Sequence, residues 1–161
     1  MRNQRPWIAA AAAVVLVGAG RSSHLPAAVA KAVEEDRPGA TIAKLEVEKD
    51  GGLTVYDIEF KDGRGEIEVA EDGTVLDVSD VIDMKDVPSA AAAGIRKAAE
   101  GRSIKQVEKS EVHARIEKKD GRGHLSRLAS PEYIYEAELS GGEVEVAADG
   151  RIVKGLNGSR R

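Results

Sequence analysis

The sequence predicts an α+β protein: a tandem repeat of one helix followed by a four-stranded antiparallel meander, with the helix packed on one sheet face. Three observations point to it. Leu25-Pro26 and Val87-Pro88 each precede a run with apolar residues at helical spacing. Apolar and acidic residues then alternate with period two, as in Tyr56-Asp57-Ile58-Glu59-Phe60 and Tyr135-Glu136-Ala137-Glu138-Leu139. Asp-Gly pairs such as Asp50-Gly51, Asp62-Gly63 and Asp72-Gly73 punctuate the alternation, where glycine accepts the positive φ of a tight hairpin.

The chain opens with MRNQRPWIAAAAAVVLVGAG, in which Arg2 and Arg5 precede an apolar run from Trp7 to Val17 and the small residues Gly18 and Ala19 follow. This is the three-part pattern of a secretory signal peptide. The run is shorter than the roughly 20 apolar residues that a membrane span takes. Residues 1–19 are therefore expected to be a leader cleaved after Ala19, and the mature protein to be exported, periplasmic or secreted, with no membrane association once the leader is gone. Repeat 1 is expected over 20–83, repeat 2 over 84–155, and a disordered tail over 156–161.

Each copy begins with a helix, because proline is tolerated in a first turn whose N–H has no intrahelical partner. Leu25, Val29 and Val33 form one apolar stripe, and the first helix must stop before Pro38-Gly39. The second helix runs through Ala90–Ala93, Ile95, Ala98 and Ala99 to about Glu100, with Gly101 ending it. In the strands, Leu45 and Val47 alternate with Glu46 and Glu48, and Ile67 and Val69 with Glu66 and Glu68. Connections this short permit only antiparallel pairing. Val107 and the set Val112, Ala114, Ile116 lie on opposite parities, which predicts a bulge near Lys109–Glu111. Asp120 to Pro131, rich in Gly, Arg and Ser, is expected to be an inserted loop.

The two copies match in fixed order. Ile42 pairs with Ile104, Leu45 with Val107, and Glu66-Ile67-Glu68-Val69-Ala70 with Glu143-Val144-Glu145-Val146-Ala147; Asp72-Gly73 and Asp149-Gly150 then follow in step. Such ordered self-similarity implies internal duplication.

Composition narrows the function. The 161 residues include no cysteine, which excludes disulfide scaffolds, thiolate metal sites and cysteine nucleophiles. Twenty-eight acidic against 24 basic residues give a net charge of -4, which argues against a nucleic-acid partner. Only 3% of the residues are aromatic, and Tyr56, Phe60 and Tyr135 share parity with aliphatic core positions.

The repeat resembles the PepSY-like family that is grouped with β-lactamase inhibitor proteins. The residues that carry the resemblance are Leu25-Pro26-Ala27-Ala28-Val29, Pro38-Gly39-Ala40, Tyr56-Asp57-Ile58-Glu59-Phe60 and Glu71-Asp72-Gly73-Thr74-Val75-Leu76. Val87-Pro88, Tyr135-Glu136-Ala137-Glu138-Leu139 and Ala148-Asp149-Gly150-Arg151-Ile152-Val153 repeat them more weakly. The resemblance spans Leu25 to about Lys154 and implies an exported bacterial binding module, an inhibitor or regulator of an envelope enzyme, without a catalytic motif.

The residues themselves agree that no enzyme is expected. His24, His113 and His124 have neither the spacing nor the neighbouring carboxylate of a metalloprotease, and no serine sits in a Gly-x-Ser-x-Gly elbow. Gly63-Arg64-Gly65 and Gly121-Arg122-Gly123 lack the Lys-Ser or Lys-Thr of a phosphate loop. No cofactor and no metal site is expected. The feature that stands out is a set of carboxylates on the outward parity: Glu46, Glu48, Asp57, Glu59, Glu66, Glu68, Glu136, Glu138, Glu143 and Glu145. They are expected to form an acidic sheet face that binds a protein partner with a basic surface. The alternative is divalent-cation buffering or sensing through the same face.

Overall fold

The structure, a computed structural model, describes residues 25–63 and 65–156. The leader expected over 1–19, His24 and residues 157–161 of the expected tail lie outside the described residues. Among the described residues, two α-helices, α1 (Ala27–Asp36) and α2 (Ser89–Ala99), accompany eight strands: β1 (Ile42–Asp50), β2 (Leu53–Phe60), β3 (Glu66–Ala70), β4 (Val75–Ile82), β5 (Ile104–Lys119), β6 (Arg122–Leu139), β7 (Gly142–Ala147) and β8 (Ile152–Lys154). All eight join one antiparallel sheet in chain order.

That single sheet corrects the expected tandem repeat of helix plus four-stranded meander. Two separate meanders would each leave an edge strand with unpaired N–H and C=O groups, and continuous pairing from β4 into β5 removes those edges. The central strands are also too long for the repeat scheme, β5 with 16 residues and β6 with 18. The expected loop over Asp120–Pro131 is likewise replaced by strand. A two-residue turn, Asp120 at φ 52° and Gly121 at φ 75°, reverses the chain and β6 starts at once. Positive φ at both positions suits the right-handed twist of the flanking strands.

The chain divides into two compact units. The first holds α1, β1, β2, β3, β4 as far as Val78, β5 from Val112 and β6 as far as Pro131. Its main core places Val29, Ala32 and Val33 of α1 on Leu45, Ile58, Phe60, Ile67 and Val69. The apolar stripe of α1 thus covers the even-numbered face of β2, as its alternation requires. Pro26 heads the helix, its carbonyl accepting from the Ala30 N–H at 2.9 Å, and the chain leaves after Asp36 with Gly39 at φ 67°. The other face of this unit is not bare: Val55, Leu76 and Ala114 are buried there as a second apolar cluster, with Ile116 and Leu125 packed against it.

The second unit holds the rest of β4, β5 and β6 together with α2, β7 and β8. Ala91, Ala92, Ile95, Ala98 and Ala99 of α2 meet Val107, Tyr135, Ala137, Leu139, Val144 and Val146. The small alanines let the helix lie close to the sheet, and Gly94 brings it closest: a Cβ there would stand 2.5 Å from the Gly150 carbonyl oxygen. Arg96 and Lys97 occupy the last turn, where cations suit the helix dipole, and the left-handed Glu100 at φ 50° ends it. Buried positions in β5 change parity between Val107 and Ser110, where the sequence places its phase slip.

Candidate functional site

Cross-strand register brings the predicted carboxylates into rows. Glu46 faces Asp57 across β1 and β2, and Asp57 faces Glu68 across β2 and β3. One step along, Lys44 faces Glu59, which faces Glu66. Glu48 lies opposite Val55. In the second unit Glu136 faces Glu145 and Glu138 faces Glu143 across β6 and β7, and Glu145 faces Lys154 on β8. Like charges directly opposite one another destabilise a sheet by up to ~1 kcal/mol per pair, so cations in the rows matter. Lys44 Nζ lies 3.2 Å from Glu46, and Lys105 donates to Glu138 at 2.9 Å. Lys154 hydrogen-bonds Glu143 and lies 3.4 Å from Glu145.

Burial separates the ten residues into three groups. Glu46, Glu68, Glu136 and Glu145 are buried, Glu68 at 2% and Glu145 at 0% exposure. Glu48, Asp57, Glu66 and Glu143 are half-buried, whereas Glu59 and Glu138 are open to solvent. The alternation in the sequence marks which side chains share a face; it does not reveal that strands such as β3 and β7 are covered on both faces, through Ile67–Ala70 and Val144–Ala147.

The second unit also shows how a buried row is neutralised. Desolvation opposes the charge on Lys154, yet the hydrogen bond to Glu143 and the fields of Glu145 and Glu143 outweigh it and hold the ammonium above its ordinary pKa. Burial, reinforced by Glu71, raises Tyr56, and burial, reinforced by Tyr133, raises Tyr135.

Several polar residues outside the predicted acidic face are as deeply placed as its carboxylates. Asp77 and Ser79 are buried in β4, and Ser79 shares a 2.7 Å hydroxyl–hydroxyl hydrogen bond with Ser110 of β5. Asp50 is buried at the end of β1, 2.8 Å from Lys118 Nζ. Thr74 is buried and accepts from Arg127 at 2.7 Å. Arg127 escaped notice because its segment read as loop; the signal for Asp77 was its place in the alternation Val75, Asp77, Ser79.

Chemically, the carboxylate rows offer acceptors and negative potential to a cationic group. Among the described residues, no three His, Asp or Glu side chains converge to hold a metal ion, and no helix is long and apolar enough to cross a membrane.

No family model and no curated protein matches the chain. Three solved structures resemble it loosely. A BLIP-like protein from Bacteroides fragilis superposes with a TM-score of 0.46 at 16% identity, over 82% of this chain and 87% of that one. A Bacteroides vulgatus protein of unknown function, described as periplasmic, gives 0.37 at 20% identity over 88% and 97%. A second Bacteroides vulgatus protein, from the DUF2874 family and also described as periplasmic, gives 0.35 at 17% identity over 81% and 88%.

Proposed function

We propose that this chain is a non-enzymatic, exported binding module that engages a basic surface of a protein partner through its carboxylate rows, acting as an inhibitor or regulator of an envelope enzyme. The observation that carries this reading is the cross-strand register, which lines up Glu46, Asp57 and Glu68 in one row and Glu59 with Glu66 in the next. The leader-like pattern over residues 1–19 supports export, and the residues that resemble the PepSY-like family support a binding role. Glu59 and Glu138, open to solvent, make first contact. Charge of this kind sets association rate and selectivity more than raw affinity.

The test uses the full chain immobilised against its own envelope extract, with captured protein measured at low and at high salt. Glu59→Lys and Glu138→Lys are compared with the wild type. Capture that weakens with salt and with either charge reversal supports the reading. Capture indifferent to both overturns it. Glu68→Lys is unsuitable as a probe, because a lysine at a position 2% exposed would disturb folding before it reported on binding.

A further inference from the structure

A cleft of about 370 Å³ opens in the first unit, bounded by α1 and by residues of β4, β5 and β6. Glu35 and Asp36 supply carboxylates from the helix, His113 and Arg127 supply nitrogen groups from the strands, and Val75 and Val78 supply apolar lining. The volume falls within the ~300–1,000 Å³ range of small-molecule sites.

Arg127 is held in place. Its Nη2 donates to Thr74 Oγ1 at 2.7 Å, and Thr74 itself is buried in a locked turn. The Thr74 N–H donates to Asp72 Oδ1 at 2.9 Å, the Ala70 N–H donates to the Thr74 carbonyl at 2.9 Å, and the Gly73 N–H donates to the Ala70 carbonyl at 2.8 Å. Gly73, at φ 85°, abuts α1 so closely that a Cβ would lie 2.9 Å from the Ala28 carbonyl oxygen. The Thr74 N–H and the Arg127 guanidinium together hold the Asp72 carboxyl below its ordinary pKa, with burial acting in the opposite direction. A cation fixed this way loses little freedom when a ligand arrives.

The acidic groups are held more loosely. Glu35 meets Lys31 at 3.6 Å with both side chains exposed, and Asp36 meets Arg37 at 3.3 Å. Exposed pairs of the first kind contribute little and exchange readily. A purely anionic ligand would gain Arg127 and be repelled by Glu35 and Asp36; a purely cationic one would meet the reverse. Only a ligand with both charges gains from both sets.

We propose that this cleft binds a small dipolar ligand whose ammonium and carboxylate flank an apolar side chain, the chemistry shared by a free aliphatic amino acid and a short apolar peptide. The carboxylate pairs with Arg127, the ammonium with Glu35 or Asp36, and the side chain lies on Val75 and Val78. This site is separate from the carboxylate rows and does not depend on their role.

Calorimetry on the full chain with L-leucine and with the dipeptide Leu-Leu tests the proposal, and the tighter of the two identifies the source. Saturable binding is expected, weakened at least about tenfold for N-acetyl-leucine, which lacks the ammonium, and for leucine amide, which lacks the carboxylate. Arg127→Gln and the double change Glu35→Gln with Asp36→Asn should each weaken binding by about the same factor, with circular dichroism unchanged. Glu35 and Asp36 are exposed, so the double variant reports on binding even if Arg127→Gln perturbs the fold. No saturable heat up to about 10 mM of either ligand, or affinity equal for the blocked compounds, overturns the proposal.

Discussion

Gly51 and Gly123 meet backbone to backbone: the Gly123 N–H donates to the Gly51 carbonyl oxygen at 2.8 Å, and a Cβ on Gly51 would lie 2.2 Å from that nitrogen. The turn after β1 is thereby tied to the start of β6 within the first unit. Gly51 also sits at φ 59°. Gly51→Ala combines left-handed strain with a collision against backbone that cannot rotate away, and should lower stability by about 2–4 kcal/mol. Gly52→Ala is the control, since Gly52 is at φ 89° with nothing within 4 Å. Strain alone predicts about 1–2 kcal/mol there. Urea midpoints measure the difference; equal losses would show that the close approach adds nothing.

Gly94 offers a case in which helix propensity and packing oppose each other. Alanine is favoured over glycine inside a helix by about 1 kcal/mol. At Gly94, however, the added Cβ would meet the Gly150 carbonyl oxygen at 2.5 Å and Val146 Cγ1 at 2.7 Å. Gly94→Ala is expected to destabilise, by about 1–3 kcal/mol, and to lower the thermal midpoint. A raised midpoint would mean that α2 can move off β7 freely.

Asp50 and Lys118 form an ion pair in which only the acid is buried, at 3% side-chain exposure against 48% for the lysine. Lys118→Met should leave the carboxylate without this cation and cost about 1–2 kcal/mol, below the fully buried case because the lysine is half in water. Asp50→Asn with Lys118→Met should cost less than the two single changes together. A double-mutant cycle measures that coupling, and strict additivity would remove the pair from the account.

Lys154 predicts an alkaline dependence with a definite sign. Its folded pKa is raised, so its contribution to stability is complete below the unfolded value of about 10.4 and is lost as pH rises through the higher folded value. Lys154→Met should destabilise the protein at pH 7 by about 3 kcal/mol, because Glu143 and Glu145 lose their cation. The gap between variant and wild type should stay level up to about pH 10 and narrow as pH rises further through the folded pKa. Denaturant midpoints across that range measure it; a gap that widens with pH has the wrong sign.

Both helices and most turns were legible in the sequence because their signals are local. Pro26 and Pro88, each followed by apolar residues at helical spacing, mark helix starts, and the turns at Asp50-Gly51 and Asp72-Gly73 follow from positive φ at glycine. The joining of all strands into one sheet was not legible, since alternation describes a strand's two faces but not its neighbour at the edge. The same limit applied to the carboxylates. Glu59 and Glu68 carry the same alternation signal, yet one is in solvent and the other is buried. Polarity along a strand reports a difference between faces, and burial depends on what other strands bring to each face. The segment after Asp120 misled for another reason: its Gly, Arg and Ser content is that of a loop, whereas pairing with β5 imposes strand on it.

The chain-order sheet also governs how the molecule is assembled. Every strand pairs with the one that precedes it, so each new strand has one of its neighbours already synthesised. Several contacts nonetheless close long loops, Gly51 with Gly123 and Thr74 with Arg127 among them, and the entropy cost of each closure grows only slowly with loop length. As the chain emerges N-terminus first, each new strand finds its template already in place, and the sheet can grow by zipping from β1 towards β8.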